Sequence, residues 1–136
     1  MFTHLNALLD GAPQLIHVGF NLDSQKVAFG APVTEHASAY LPAKSTTMET
    51  NTQKFAEVLS KNAEGFLGMT SGWSVEDVEH EKLGAGQKGK IFALALGWES
   101  VDAHMKATKT QAFKDNIHLL GEAKTIEMHH VHMKQL

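Results

Sequence analysis

The segment Lys90-Ile91-Phe92-Ala93-Leu94-Ala95-Leu96-Gly97-Trp98 alternates strictly, with Phe92, Leu94, Leu96 and Trp98 large and Ala93, Ala95 and Gly97 small. Two is the side-chain period of a β-strand, so the large and small sets stand on opposite faces of one sheet. The small face lets a helix lie close. The large face carries two aromatic rings and two leucines and cannot stay bare in water, so the pattern predicts that a partner, a second copy of the chain, covers it.

The surrounding periodicities supply the rest of a sheet-and-helix layout. In Val33–Leu41, Thr34, His36, Ser38 and Tyr40 share one face and Val33, Ala37, Ala39 and Leu41 the other, and Pro42 stops the strand. Thr46-Thr47-Met48-Glu49 fits a capping box, after which Phe55, Val58, Leu59 and Ala63 recur at helical spacing up to Gly65. Trp73–His80 and Lys90–Trp98 form a strand pair across the glycine-rich hairpin Leu83–Gly89. Ser100 caps a second helix, with Asp102 in its positive first turn; the pattern runs to Leu120 with a kink near Thr110, and Thr125–Met133 is a final strand. Strand, helix, strand, strand, helix, strand is the order of an α+β, ferredoxin-like split βαβ domain: a four-stranded antiparallel sheet with both helices on one face. This domain is assigned to residues 33–136. Residues 1–32 form a leading extension with one extra strand, Leu15–Phe20, and a turn at Gly30 and Pro32.

Composition narrows the function. The chain of 136 residues is one domain's length, and it has no Cys, which excludes disulfides, thiolate nucleophiles and Cys-based metal sites. All twelve basic residues are Lys, and the net charge is −3, so neither the bidentate guanidinium nor the basic surface of a nucleic-acid binder is present. No apolar run approaches the ~20 residues of a membrane span, and no basic stretch leads into an apolar core; a cytoplasmic protein is the expectation. Nine His supply the means for acid–base or metal chemistry near neutral pH.

The run Gly97-Trp98-Glu99-Ser100-Val101-Asp102-Ala103-His104, then Phe113-Lys114, then Ile126-Glu127-Met128-His129-His130-Val131, resembles the dimeric α+β barrel superfamily. Within it the resemblance is in particular to the antibiotic biosynthesis monooxygenase-like and stress-responsive barrel domains, over roughly residues 33–133. The resemblance implies a homodimer whose two sheets close face to face, with a ligand cavity between each sheet and its helices or at the barrel mouth. Its Trp-x-Ser motif marks fold more than activity. Haem-degrading members look similar around Trp98, but they carry a second Trp where this chain has Ala107 and an iron-binding His where it has Ile117, with His118 one place off. Polyketide-cyclising members use a Tyr and His pair whose places are taken here by Ala107 and Phe113. Their first-strand His corresponds by strand position to His36, and an acidic residue of their last strand to His129.

Candidate sites follow from strand parity. If Ile126 and Met128 face the helix-packed core, then Glu127 and His129 fall on the face of His36 and Tyr40, and the four meet in one pocket. A carboxylate beside an imidazole raises its basicity, and a Tyr can donate to a developing enolate, so these residues are either a proton-transfer set or satisfied polar groups in a dimer seam. His104, four residues past the Ser100 cap, faces either the pocket mouth or water. Phe92, Leu94, Leu96 and Trp98 supply the pocket wall. His130 and His132 stand on one side of a strand as half of a metal site, with His36 or Glu35 a third ligand only if the fold brings one close. Gly84-Ala85-Gly86-Gln87-Lys88-Gly89 matches a phosphate-binding spacing, but a strand follows it instead of a helix, which leaves a hairpin loop.

The function expected is a small homodimeric enzyme without a bound cofactor, acting on a hydrophobic, oxygenated small molecule such as a polyketide. His36, Tyr40, His104, Glu127 and His129 would serve cyclisation, isomerisation or dehydration by acid–base chemistry. Oxygenation through a substrate-derived carbanion also needs only a base and a greasy cavity. The alternatives are a non-catalytic stress-responsive barrel that binds a ligand or partner, and a metal-dependent lyase built on His130 and His132.

Overall fold

The computed structural model describes residues 17–20 and 22–131. Helix α1 (Leu22–Phe29) precedes strand β1 (Val33–Leu41), helix α2 (Thr46–Asn62), strand β2 (Phe66–Trp73) and the two-residue strand β3 (Val78–Glu79). Strand β4 (Lys88–Trp98), helices α3 (Val101–Thr108) and α4 (Gln111–Asn116), a 3₁₀ turn at Ile117–Leu120 and strand β5 (Thr125–Val131) follow. The sheet is antiparallel with order β2-β4-β1-β5, and β3 pairs with the start of β4. This is the expected α+β, ferredoxin-like arrangement, enlarged by β3 and α1.

Local chemistry sets most boundaries. Ser45, one residue before the expected cap, accepts from Met48 N–H at 3.1 Å and starts α2. Glu49 accepts from Trp73 Nε1 at 2.6 Å, which ties the first turn of α2 to the end of β2. Ser100 caps α3 through Ala103 N–H at 3.0 Å, and Thr110 caps α4 through Phe113 N–H at 3.2 Å, so the expected kink near Thr110 is a break between two capped helices. The glycine-rich segment is a loop, as expected, with Gly84 and Gly86 at φ 108° and 71°. The strand expected over Trp73–His80 is corrected: Phe66–Trp73 is the strand, and only Val78–Glu79 continues it. Two Gly, a Ser and a Thr gave Phe66–Trp73 no readable period, and its pairing with β4 supplies what its own propensity lacks.

Register fixes the faces. Val33, Glu35, Ala37 and Ala39 stand opposite Trp98, Leu96, Leu94 and Phe92, and Ala37 and Ala39 stand opposite Met128 and Ile126. This face is covered by α2, α3 and α4: Phe92, Leu94, Leu96 and Trp98 share one buried cluster with Met48, Phe55, Leu59, Ala107 and Phe113. The expectation that a second copy shields this face is therefore overturned, because the chain's own helices do so. The small-residue face does receive a close helix, but that helix is α1, which the sequence reading did not contain. Gly97 has no room for a Cβ, which would sit 2.8 Å from Ala31 Cβ and 3.2 Å from Ala28 O. Thr34 Oγ1 donates to Ala28 O at 2.9 Å, and the hydroxyls of Ser24 and Thr70 pair at 2.8 Å, fastening α1 down.

Of the leading extension, residues 1–16 lie outside the described residues. Within Leu15–Phe20, Val18 makes one antiparallel bridge to Ser74, and Val18 and Phe20 pack with Val78, Ile91 and Ala93. No helix of the described residues is long and apolar enough to cross a membrane.

Candidate active site

Glu35 sits at the core parity of β1, between Val33 and Ala37 and opposite Leu96, so the strand itself drives a carboxyl into the apolar layer. It is 6% exposed. Trp98 Nε1–H, from the neighbouring strand, donates to Glu35 Oε1 at 3.1 Å. The Ser100 cap fixes the start of α3, and one turn later His104 points inward, 5% exposed, with Nε2 3.2 Å from the same Oε1. Its ring stacks on Trp98 with centroids 4.9 Å apart. On its far side, His104 Nδ1 is 2.7 Å from His130 Nε2, and His130 stands opposite Glu35 in the β1–β5 register.

Glu35, His104 and His130 thus form one cluster, in which the two imidazoles are hydrogen-bonded to each other and His104 lies at ion-pair distance, 3.2 Å, from the carboxyl. Burial pushes the Glu35 carboxyl up to about 7, against the opposing effect of the Trp98 hydrogen bond. Burial, and then the nearby His130, push His104 down to about 4. Both groups are thereby driven toward their neutral forms. Glu35 accepts from Trp98; with the His104 proton on Nε2, facing the carboxyl, Nδ1 accepts from His130, and with it on Nδ1 the two rings exchange donor and acceptor roles. His130, at the outer end of the cluster, is only half-buried.

This cluster opens on a cavity of about 120 Å³ between the sheet and the helices. Apart from Glu35, His104 and Thr52, its wall is apolar, with Leu94, Leu96 and Trp98 below and Phe55, Leu59 and Phe113 above. Ile117 and Met128 line it and are also 41% and 60% exposed, which marks the mouth beside edge strand β5.

The expected site residues divide between the two faces of the sheet. His104, Leu94, Leu96 and Trp98 belong to the cavity, whereas Phe92 packs on Trp73 at 4.6 Å within the core and does not line it. His36 and Tyr40 lie on the other face: the His36 ring is 6.5 Å from that of Phe29 in α1, and Tyr40 is 4.4 Å from His80. His80 Nε2 is 2.7 Å from Glu127 Oε1, so Tyr40 and Glu127 do come together, through a histidine the sequence reading passed over. Burial and the Glu127 charge both raise the Tyr40 phenol. His129 stands opposite His36 in the strand register. The single pocket expected to join His36 and Tyr40 with the Phe92–Trp98 wall is therefore corrected, since strand alternation puts the two sets on opposite sides of the sheet. His130 is engaged with His104, His132 lies outside the described residues, and among the described residues no three His, Asp or Glu are grouped to hold a metal ion.

Glu35 is the residue that sequence reasoning passed over as a catalytic group. The signal was available, in that it is the only charged residue at the apolar parity of Val33–Leu41.

No family model and no curated protein sequence matches the chain. Solved structures do. SnoaB, a cofactor-independent oxygenase from Streptomyces nogalater, aligns with a TM-score of 0.50 at 14% identity, over 76% of this chain and 93% of its own. A proposed antibiotic biosynthesis monooxygenase from Caulobacter crescentus aligns with a TM-score of 0.50 at 18% identity, over 76% of this chain and 90% of its own. These likenesses establish the fold: the chain has the α+β architecture of the antibiotic biosynthesis monooxygenase-like structures.

Proposed function

We propose that the chain is a small cofactor-independent enzyme that removes a proton from an apolar, oxygen-bearing molecule seated in the cavity. The observation that carries this is the cluster of buried Glu35 and His104 with half-buried His130, ending on an otherwise apolar wall. A carboxylate with its proton affinity raised to about 7 is a stronger base than an exposed one, and it exchanges protons readily near neutral pH. The bond broken is an acidic C–H beside a carbonyl or an electron-rich ring. The proton goes to Glu35 and on through His104 to His130, and the electron pair stays on the substrate as an enolate in the apolar cavity.

That enolate has two fates. It can attack or re-protonate within the substrate, which is cyclisation or isomerisation. It can also add dioxygen to give a hydroperoxide that loses water to a ketone. The name borne by SnoaB favours the oxygenation route for this fold. A homodimer is part of this proposal only around α1, which already occupies the sheet face a second copy would approach.

The test is deuterium exchange. In deuterated buffer, 2-indanone, a ring with an acidic methylene beside a carbonyl, is expected to gain deuterium faster with the protein than without it, and Glu35→Gln is expected to slow that gain by ~10²-fold or more. Oxygen uptake measured in parallel separates the two fates. Exchange that is unchanged in Glu35→Gln removes Glu35 as the base.

A further inference from the structure

Helix α2 carries Thr52 on the cavity wall across from the sheet that bears Glu35. The residue is 1% exposed, and its Oγ1 has no hydrogen-bond partner; it is the one buried side-chain polar atom so placed among the described residues. A hydroxyl inside a helix ordinarily bonds the carbonyl a turn back, as Ser60 does to Ala56 O at 3.0 Å. Thr52 does not. A buried hydroxyl without a partner destabilises the fold that holds it, so its position on a cavity wall calls for a cause. The other polar groups of the wall do not supply one, because Glu35 accepts from Trp98, His104 pairs with His130, and the two face each other at 3.2 Å.

We infer that Thr52 is a second substrate-binding group, which hydrogen-bonds a hydroxyl or carbonyl oxygen on the part of the molecule lying against α2. This rests on the proposed function only for what the other end of that molecule does at Glu35. It narrows the substrate class to a compact, mainly hydrocarbon molecule with an oxygen function separate from its acidic C–H. The size suits a compact ring system, since an apolar cavity of ~150 Å³ takes up benzene and this one is about 120 Å³ and opens at the Ile117 and Met128 mouth. A plain hydrocarbon leaves Thr52 unpaired, and a site built around a hydrogen bond rejects the analogue that lacks it.

Phenol and benzene, titrated separately into the full chain and followed by calorimetry, are the probes. Wild type is expected to bind phenol about tenfold tighter than benzene, a difference of about 1.4 kcal/mol. Thr52→Val, which keeps the shape and removes the hydroxyl, is expected to bind the two alike, and Thr52→Ser to keep the preference. Because Val leaves no unpaired hydroxyl, the Thr52→Val protein without ligand is also expected to melt about 4 °C higher than wild type. A phenol preference that survives in Thr52→Val, no phenol binding to wild type, or a lower melting point in Thr52→Val overturns the inference. None of these readouts involves turnover, so failure of the base chemistry at Glu35 leaves them intact and is recognised separately by the deuterium exchange of 2-indanone.

Discussion

Replacing Glu35 by Gln should make the fold more stable relative to wild type as pH rises, by an amount set by how far burial has moved the carboxyl. The native carboxyl titrates near 7 instead of its ordinary 4.5. Each pH unit between those values corresponds to about 1.4 kcal/mol. Below pH 4.5 the acid is protonated in both the native and the unfolded chain, and its contribution is fully present. Between 4.5 and 7 the native state holds a proton that the unfolded state has lost, so stability falls with rising pH; above 7 the contribution is gone, a total of about 3 kcal/mol. His104 works in the opposite direction: lowered to about 4, it stays uncharged where the unfolded imidazole is protonated, so its effect is to raise stability with pH up to about 6.5. In wild type the two nearly cancel over mildly acidic pH. The informative quantity is therefore the difference between wild type and Glu35→Gln, in which the His104 contribution drops out. Gln can place its amide oxygen where Oε1 stands, to accept from Trp98 and face His104 Nε2–H, so the contacts of that atom survive. Urea unfolding of both proteins at intervals from pH 4.5 to 8.5 should show Glu35→Gln gaining about 3 kcal/mol on wild type across the range, most of it before pH 7.5. A difference that does not change with pH would mean that the native carboxyl is not held protonated, and the reasoning about a buried acid would fail with it.

Other substitutions test neighbouring parts of the structure. His130→Ala cuts the outer end of the proton chain and should slow deuterium exchange of 2-indanone more at low buffer concentration than at high, because a small buffer acid can stand in for the missing imidazole; equal slowing at both removes His130 from proton transfer. Ser100→Ala removes the cap that sets where α3 begins and should cost about 1 kcal/mol in urea unfolding. Gly97→Ala forces Ala31 and the Ala28 backbone to move and should cost about 1–3 kcal/mol. It should also speed amide hydrogen exchange in α1 while leaving α2 unchanged. Deleting residues 1–31 uncovers Thr34, Ala95 and Gly97 and should drive self-association, seen as a higher sedimentation coefficient than that of the full chain; a shortened chain that stays folded and monomeric would show that α1 is not the cover of this face.

The alternation of β4, the span of β1, the Ser100 cap and the break at Thr110 were legible because each follows from a local rule, namely period two or a hydroxyl before a helix. What was not legible was which face of β4 the helices would take. Both of its faces are apolar, so periodicity gives two sets without saying which lies inward. That decision rests on α1, whose Leu22–Phe29 sequence has a weak amphipathic pattern and forms a helix mainly because Gly97 and Gly68 leave it a seat. The site depended on the same decision. Once the large face meets α2, α3 and α4, odd-numbered Glu35 is inside and even-numbered His36 and Tyr40 are not, while His104 meets His130 across 26 residues of sequence that no spacing rule connects.

The placement of Glu35 is itself an argument for function. Of the 15 acidic residues, it is the one buried carboxylate among those described, and no lysine accompanies it there; the chain has no arginine to offer. A buried carboxyl with only an indole N–H and an uncharged imidazole for company lowers stability whenever it ionises, and an alanine, as at Ala37 and Ala39 on the same face, would avoid that. Fold stability alone therefore gives no reason for a glutamate at this position. A base that must take a proton in an apolar cavity gives one, because the same desolvation that destabilises the carboxylate raises its proton affinity toward that of an enolisable substrate. The Tyr40–His80–Glu127 cluster is the contrasting case. Glu127 is exposed and water shares its charge, so nothing about its position requires more than a satisfied surface contact.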